Sequence, residues 1–215
     1  MSEITVGINL KNRGVLKFYD GWNQAEVVRR PFETLLTSLE NQTDKNFDVR
    51  VVDWQSTDIN ILSIVQKSNL NIFVSELHGD FNRSEGKNYL IDSCETPLLF
   101  LLDADMIAPP NLIDTARRVM ASFRFWFPAC RYERSVDGSM LSDYIPTAAG
   151  NVCGHIGAFR SLKFKTGAAY RKWGNEDVNF FDRVRANPAH TYLRDNCEGL
   201  IHQYHTDRER KQYDH

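Results

Sequence analysis

This 215-residue chain predicts an α/β fold: a mostly parallel central sheet flanked by helices. Two observations carry the prediction. β-rich runs alternate with helical segments over residues 4–120, the order that generates βαβ units. Those runs also stop at polar or charged residues, and ligands of open α/β sheets sit beyond the carboxyl ends of the strands. Arg13, Asp53 and Asp103 all lie at or just past such ends, so the pattern predicts that they converge on one crevice.

Ile4–Leu10 alternates and is rich in β-formers, a first strand that leads into Lys11, Asn12 and Arg13. Segment 30–42 places Phe32, Leu35, Leu36 and Leu39 at helical spacing. Segment 46–54 contains the strand run Val49, Arg50, Val51, Val52 and ends at Asp53, with polar turn residues over 54–58. A second helix is expected over 59–66, a short strand over 71–75 and a helix over 82–94. Segment 98–102 reads as a fully buried strand ending in Asp103, and Pro109 with Pro110 opens a helix that runs to Met120.

The second half changes character. Segment 123–131 is an aromatic strand whose Phe123, Phe125, Trp126 and Phe127 belong to a core rather than to a binding stripe. Segment 133–151, rich in Ser, Asp, Gly and Pro, reads as a long loop over the site. Segment 176–186 is a helix with Val178, Phe181 and Val184 as its apolar positions, and 207–215 is a polar tail. There is no internal repeat and no low-complexity segment.

Composition narrows the function. Hydrophobic residues make up 42% and charged residues 25%, the balance of a folded globular protein. A formal net charge of −2 argues against a nucleic-acid binder driven by counterion release, while leaving room for a local phosphate pocket. The N-terminus shows no basic region followed by an apolar one, and no apolar run approaches the ~20 residues that cross a bilayer. Cys94, Cys130, Cys153 and Cys197 show no CxxC spacing and read as buried free thiols of a reducing cytosol, with disulfides as the alternative. The expectation is a cytoplasmic, single-domain protein over 1–215, with peripheral attachment at an inner membrane as a variant.

Three local features carry chemistry. The run Leu99, Phe100, Leu101, Leu102, Asp103, Ala104, Asp105 ends a buried strand in two carboxylates, close enough to share a hard cation with substrate phosphates. The alternative is a solvated acidic turn. Trp173, Gly174, Asn175, Glu176 and Asp177 open a helix. Acids favoured by the helix dipole explain that pair blandly, whereas the functional reading makes one acid a base and Trp173 a platform for a sugar face. His202 and His205 form an HxxH pair that completes a metal site with the aspartates, or are two surface histidines. Imidazole favours Mn²⁺ over Mg²⁺ in such a set. Arg83 precedes a crossover helix and either meets a diphosphate or joins a surface charge pattern; Lys87 carries the same two readings. His155 reads as a hydrogen-bonded structural histidine.

Taken together, these features resemble the GT-A glycosyltransferases over nearly the whole chain. The first half looks like the family-two type, with Asp53, the Phe81–Asn82–Arg83 segment and Asp103–Ala104–Asp105 in order. The second half resembles the region shared by animal β-galactosyltransferases and bacterial chondroitin polymerases, marked by Trp173 to Val178 and by His202 and His205 before Thr206, Asp207 and Arg208. The resemblance implies a nucleotide-binding half over 1–105 and an acceptor-binding half over 106–215. It implies that Asp53 binds uracil and Arg83 the diphosphate of a UDP-sugar, with Phe81 and Arg13 nearby and Asp103 on ribose or donor sugar. Asp105 and His205 match metal ligands, and His202 falls where the animal enzymes use a methionine. Asp177 matches the catalytic base, and Glu176 and Trp173 match acceptor-contacting positions.

Two departures stand out. Asn175 replaces the glycine usual before the Glu–Asp pair, and the chain lacks both the animal enzymes' membrane anchor and the polymerases' second domain. The implied reaction is inverting transfer of a hexose or N-acetylhexosamine to a glycan hydroxyl, with Mn²⁺ or Mg²⁺. The rivals are a noncatalytic nucleotide-sugar-binding module and a nucleotidyltransferase; the latter usually carries a glycine-rich phosphate loop that segment 10–13 lacks.

Overall fold

The computed structural model describes residues 2–19, 26–146, 149–170 and 175–206. In chain order it contains β1 (Ile4–Leu10), the antiparallel pair β2 (Leu16–Tyr19) and β3 (Glu26–Arg29), α1 (Pro31–Glu40), β4 (Phe47–Asp53), α2 (Ile61–Val65), β5 (Ile72–Glu76), α3 (Arg83–Ser93) and β6 (Leu98–Asp103). There follow β7 (Met106–Ile107), α4 (Leu112–Met120), β8 (Phe125–Tyr132), β9 (Val152–His155), α5 (Ile156–Leu162), α6 (Asn175–Ala186) and β10 (Tyr192–His202).

Eight strands form one sheet in the order β5-β4-β1-β6-β9-β8-β10-β7. The β5-β4-β1-β6 half is parallel throughout, as predicted. The other half is mixed: β9 runs antiparallel to both β6 and β8, β10 is parallel to β8, and β7 is antiparallel to β10.

The period of two along each strand sorts side chains onto the two faces of the sheet. Ile4, Val6, Ile8 and Leu10 of β1 and Phe100 and Leu102 of β6 meet α1 and α4, through Leu35, Leu39, Ile113 and Ala116. Leu99 and Leu101 of β6 point the other way and pack with Leu90 and Ile91 of α3, Phe159 of α5 and Phe180 of α6. Phe125 and Phe127 lie in this second core and Trp126 in the first, so the aromatic run is core, as expected. The four cysteines are buried free thiols.

One helix departs from the prediction at a single apolar position. In α6 Val184 is buried and Phe181 packs against the core as predicted, but Val178 is 51% exposed and the other buried positions are Glu176 and Phe180. Spacing of four residues puts Glu176, Phe180 and Val184 on one stripe, and a carboxylate therefore shares the inward face with two apolar side chains.

α3 approaches the sheet closely because glycines on both elements leave room for the other's side chains. A Cβ on Gly7 of β1 would lie 3.1 Å from Leu99 and Leu101 side chains, and one on Gly86 of α3 would run into the Asn9 amide. Asn82 fixes the start of α3: its Oδ1 accepts from the Glu85 amide N–H at 3.2 Å, and its Nδ2 donates to Glu85 Oε1 at 2.7 Å. The helix thereby presents Arg83 and Lys87, four residues apart, along one face.

Candidate active site

The carboxyl ends of β1 and β6 lie side by side, with Asn9 in register with Asp103. Leu10 is in register with Asp53 across to β4. Beyond these ends lies a cavity of about 290 Å³. Arg13, Phe81, Arg83, Asp103, Asp105, Glu176, Asp177, His202 and His205 all line it, so nearly every residue singled out from sequence reaches one place.

Backbone pairing delivers the histidines to Asp105. β10 ends by placing His202 opposite Met106 of β7, next in sequence to Asp105. The Gln203 N–H then donates to the Asp105 carbonyl at 2.8 Å. The buried Gln203 side chain reinforces this by donating to the carbonyls of Pro31 at 3.0 Å and Met106 at 3.2 Å. His202 Nε2 lies 3.4 Å from Asp105 Oδ1, and His205 Nε2 lies 3.4 Å from Asp105 Oδ2. One ligand atom from each of the three residues falls within 4.8 Å of the others, a grouping able to hold a metal ion.

Surrounding contacts prepare that group. His202 Nδ1 is 3.0 Å from the Gln203 carbonyl, and a proton on Nδ1 leaves Nε2 as the ligand atom. The Tyr132 ring stacks on His202 with centroids 4.5 Å apart and planes at 19°. Burial, against the opposing pull of Asp105, pushes His205 down to about 4, so its imidazole is neutral near pH 7, the form that binds metals. Burial raises Asp105, but His202, His205 and Arg13 outweigh it and hold the carboxyl below its ordinary range. Arg13 Nε donates to Asp105 Oδ2 at 3.2 Å.

A second cluster centres on Lys87. Its ammonium donates to Asp177 Oδ1 and lies 3.6 Å from Glu176 Oε1, with the lysine side chain 5% exposed. A Cβ on Gly150 would lie 2.5 Å from Asp103 Oδ2 and 3.5 Å from Asp177 Oδ2, so a glycine is what lets these two carboxylates share one wall of the cavity. Both carboxylate oxygens of Glu176 are buried with no hydrogen-bond partner among the described residues. Burial, with the charge of Asp177 adding to it and Lys87 opposing, pushes Glu176 up to about 7.

That elevation has a sign. The folded protein binds this proton more tightly than the unfolded chain does. The stability contributed by Glu176 is full below its ordinary value of 4.5 and is lost as pH rises through about 7. Glu176→Gln is expected to flatten the fall in stability over that window, by about 1 kcal/mol per pH unit. Melting temperatures of wild type and variant across the same pH range check this; parallel curves would contradict it.

Asp53 does not line the cavity. Its carboxylate closes the turn after β4, accepting from Ser56 Oγ at 2.6 Å and from the Ser56 N–H at 3.2 Å. Trp173 lies outside the described residues, as do Gly174 and 207–215. Arg83 Cζ sits 5.4 Å from the centroid of Phe81, and Phe81 packs edge-on against Trp54 with centroids 6.0 Å apart. From the 133–151 loop, Ile145, Ala149 and Gly150 line the cavity. His155 Nε2 lies 3.0 Å from the Met120 carbonyl, a structural role as expected.

Sequence reasoning undervalued Lys87 and passed over Asn9, Tyr132 and Gly150. For Lys87 the signal was its spacing of four residues from Arg83. For Tyr132 it was the end of an aromatic strand. Nothing in the local sequence marks Asn9 or Gly150.

No family model matches the sequence. A mouse N-acetyl-beta-glucosaminyl-glycoprotein 4-beta-N-acetylgalactosaminyltransferase 1 is 29% identical over 196 residues, 86% of this chain. The chain spans 19% of that relative's length. Among solved structures, residues 1–349 of TarS from S. aureus with UDP-GlcNAc superpose with a TM-score of 0.70 at 16% identity, covering 96% of this chain and 59% of that one. A Pyrobaculum calidifontis mannosyltransferase with GDP-Man and Mn²⁺ gives a TM-score of 0.65 at 13% identity, covering 94% and 56%. A 4-diphosphocytidyl-2C-methyl-D-erythritol synthase from Anaerococcus prevotii gives 0.61 at 13% identity, covering 92% and 88%. The fold of this chain is the GT-A fold of the glycosyltransferases.

Proposed function

We propose that this chain is an inverting, metal-dependent glycosyltransferase that moves a hexose or N-acetylhexosamine from a UDP-sugar to a glycan hydroxyl. One observation carries the reading: Asp177 and the Asp105–His202–His205 group open onto the same cavity. A base for the acceptor and a binding point for a diphosphate are what such a transfer requires.

Asp177 takes the proton of the acceptor hydroxyl as that oxygen bonds to the anomeric carbon. The bond from that carbon to the diphosphate breaks, and its electron pair leaves on UDP. Attack from the face opposite the leaving group inverts the configuration. Arg83, at the start of α3, and Arg13 offer fixed positive charge to the diphosphate from the wall of the cavity. Asp103 binds the donor sugar or ribose. Glu176, whose buried oxygens have no hydrogen-bond partner among the described residues, takes a hydroxyl of the acceptor; Trp173, outside the described residues, is the other proposed acceptor contact.

The donor set fits a divalent ion: one carboxylate and two imidazoles, with His205 neutral, suits Mn²⁺ better than Mg²⁺. An ion held by Asp105, His202 and His205 would supply charge neutralisation at the departing diphosphate.

In this proposal the chain divides into a nucleotide-binding half, 1–105, and an acceptor-binding half, 106–215. Asp105 comes from the first part and both histidines from the second, so the metal group joins the two. The relatives' names support an N-acetylhexosamine donor and an N-acetylglucosaminyl acceptor. Four buried free thiols support a reducing, cytoplasmic setting. Among the described residues, no helix is long and apolar enough to cross a membrane.

The test is product analysis with Mn²⁺, a panel of UDP-sugars and an N-acetylglucosaminyl acceptor. The expected result is UDP release with a product of inverted anomeric configuration. Pyrophosphate release would point to nucleotidyl transfer, and tight nucleotide binding without turnover to a noncatalytic module.

A further inference from the structure

We propose that Lys87 is a positioning residue for the proton-accepting carboxylate: its buried ammonium grips Asp177 by Oδ1, sets a positive charge against it, and leaves Oδ2 on the Gly150 side of the cavity. The inference rests on the transferase reading above.

The lysine is held from several sides. Gly86 lets α3 sit against Asn9, which carries the next residue into the site. Asn88 fixes the strip that covers it: Asn88 Nδ2 donates to the Phe164 carbonyl at 2.8 Å, and the Phe164 N–H donates to Asn88 Oδ1 at 2.8 Å. Phe164 thereby presents its ring to the ammonium, 5.1 Å from Nζ to the centroid. The Asp177 side chain is 14% exposed, so water does little to stabilise its charge.

The charged groups facing Asp177 are Lys87 and Arg83 of α3, Asp103 of β6 and its own neighbour Glu176. Burial holds Asp177 above its ordinary carboxylate range; Lys87 opposes this and limits the rise, and Asp103 adds to it. An aspartic acid that keeps its proton cannot accept another. Burial would lower Lys87, but Asp177, Glu176 and Asp103 outweigh it and raise it, so the ammonium stays charged at neutral pH. Removing the cation leaves a buried carboxylate beside Asp103 and Glu176 with Arg83 as the remaining counter-charge.

The experiment compares wild type with Lys87→Met, Lys87→Gln and Lys87→Arg. Aspartate carboxyl carbons are labelled for NMR titration, and the resonance that vanishes in Asp177→Asn is assigned to Asp177. The two neutral variants are paired so that one failing to fold leaves the other to report. The midpoint of Asp177 is expected to rise by about 1–3 pH units in the neutral variants and to return close to wild type in Lys87→Arg. With UDP-GalNAc and an N-acetylglucosaminyl acceptor, the acid limb of the kcat profile is expected to move up in pH by the same interval, with KM little changed.

An unchanged Asp177 midpoint in a folded neutral variant overturns the positioning role, and does so without touching the transferase reading if the wild type is active. A kcat loss equal at every pH also overturns it. A shifted midpoint in a protein that turns over no UDP-sugar supports the Lys87–Asp177 coupling while rejecting the transferase reading.

Discussion

Asp177→Asn is expected to lower UDP-sugar turnover with acceptor by about 10²–10⁴-fold, the usual contribution of a positioned general base. The amide keeps the shape of the side chain but cannot take the acceptor's proton. Nucleotide binding should survive, because the Asp105–His202–His205 group is untouched. Lys87 loses its nearest carboxylate in this variant, although Glu176 remains 3.6 Å away, so a melting curve is needed to separate lost chemistry from lost structure. A variant that is folded, binds UDP with Mn²⁺ and fails to turn over is the predicted phenotype. Turnover within a fewfold of wild type would remove Asp177 from the mechanism.

Asp105→Asn is expected to act on metal and stability together. Even outer-shell partners of metal ligands are worth 10–100-fold in affinity, so loss of the carboxylate ligand should weaken Mn²⁺ binding by more than about 100-fold. The same change breaks a buried ion pair, Arg13 Nε to Asp105 Oδ2 at 3.2 Å, whose side chains are 11% and 7% exposed. Breaking such a pair from one side costs about 3–5 kcal/mol. The double variant Arg13→Gln/Asp105→Asn should recover part of the stability and none of the metal affinity. Calorimetric Mn²⁺ titrations and denaturant melts of the four proteins in this cycle check both statements. A single variant that still binds Mn²⁺ as tightly as wild type would move the ligand set elsewhere.

The parts of this account that were legible in the sequence are those written in short-range pattern. Leu98–Asp103 is a run of apolar residues ending in acid, and that alone places Asp103 and Asp105 at the carboxyl edge of a sheet. The parallel half of the sheet follows from strands and helices that alternate with ordinary spacing. The mixed half does not. β9 is four residues long, and β10 passes through Asp195, Asn196, Cys197, Glu198 and Gly199 with a register break between Asn196 and Ile201, so neither shows a clean period of two.

Lys87 shows another limit. Lysine is almost never fully buried unless paired, so a lysine on a polar helix reads as surface. It is buried because Gly86 brings the helix onto Asn9, a contact between residues 77 positions apart. The expected inward position of Val178 failed because Glu176 takes that place in the stripe with Phe180 and Val184. Asp53 lies at the end of β4 as expected, and its carboxylate also accepts from Ser56 Oγ at 2.6 Å, a contact that local pattern does not reveal.

The most direct measurement is the thermal shift given by UDP with and without Mn²⁺, in wild type and in His205→Ala. The account predicts a Mn²⁺-dependent stabilisation by UDP in the wild type that disappears in the variant, since His205 Nε2 lies 3.4 Å from Asp105 Oδ2 within the proposed ligand set. No shift with UDP or any UDP-sugar, with or without the metal, would contradict it.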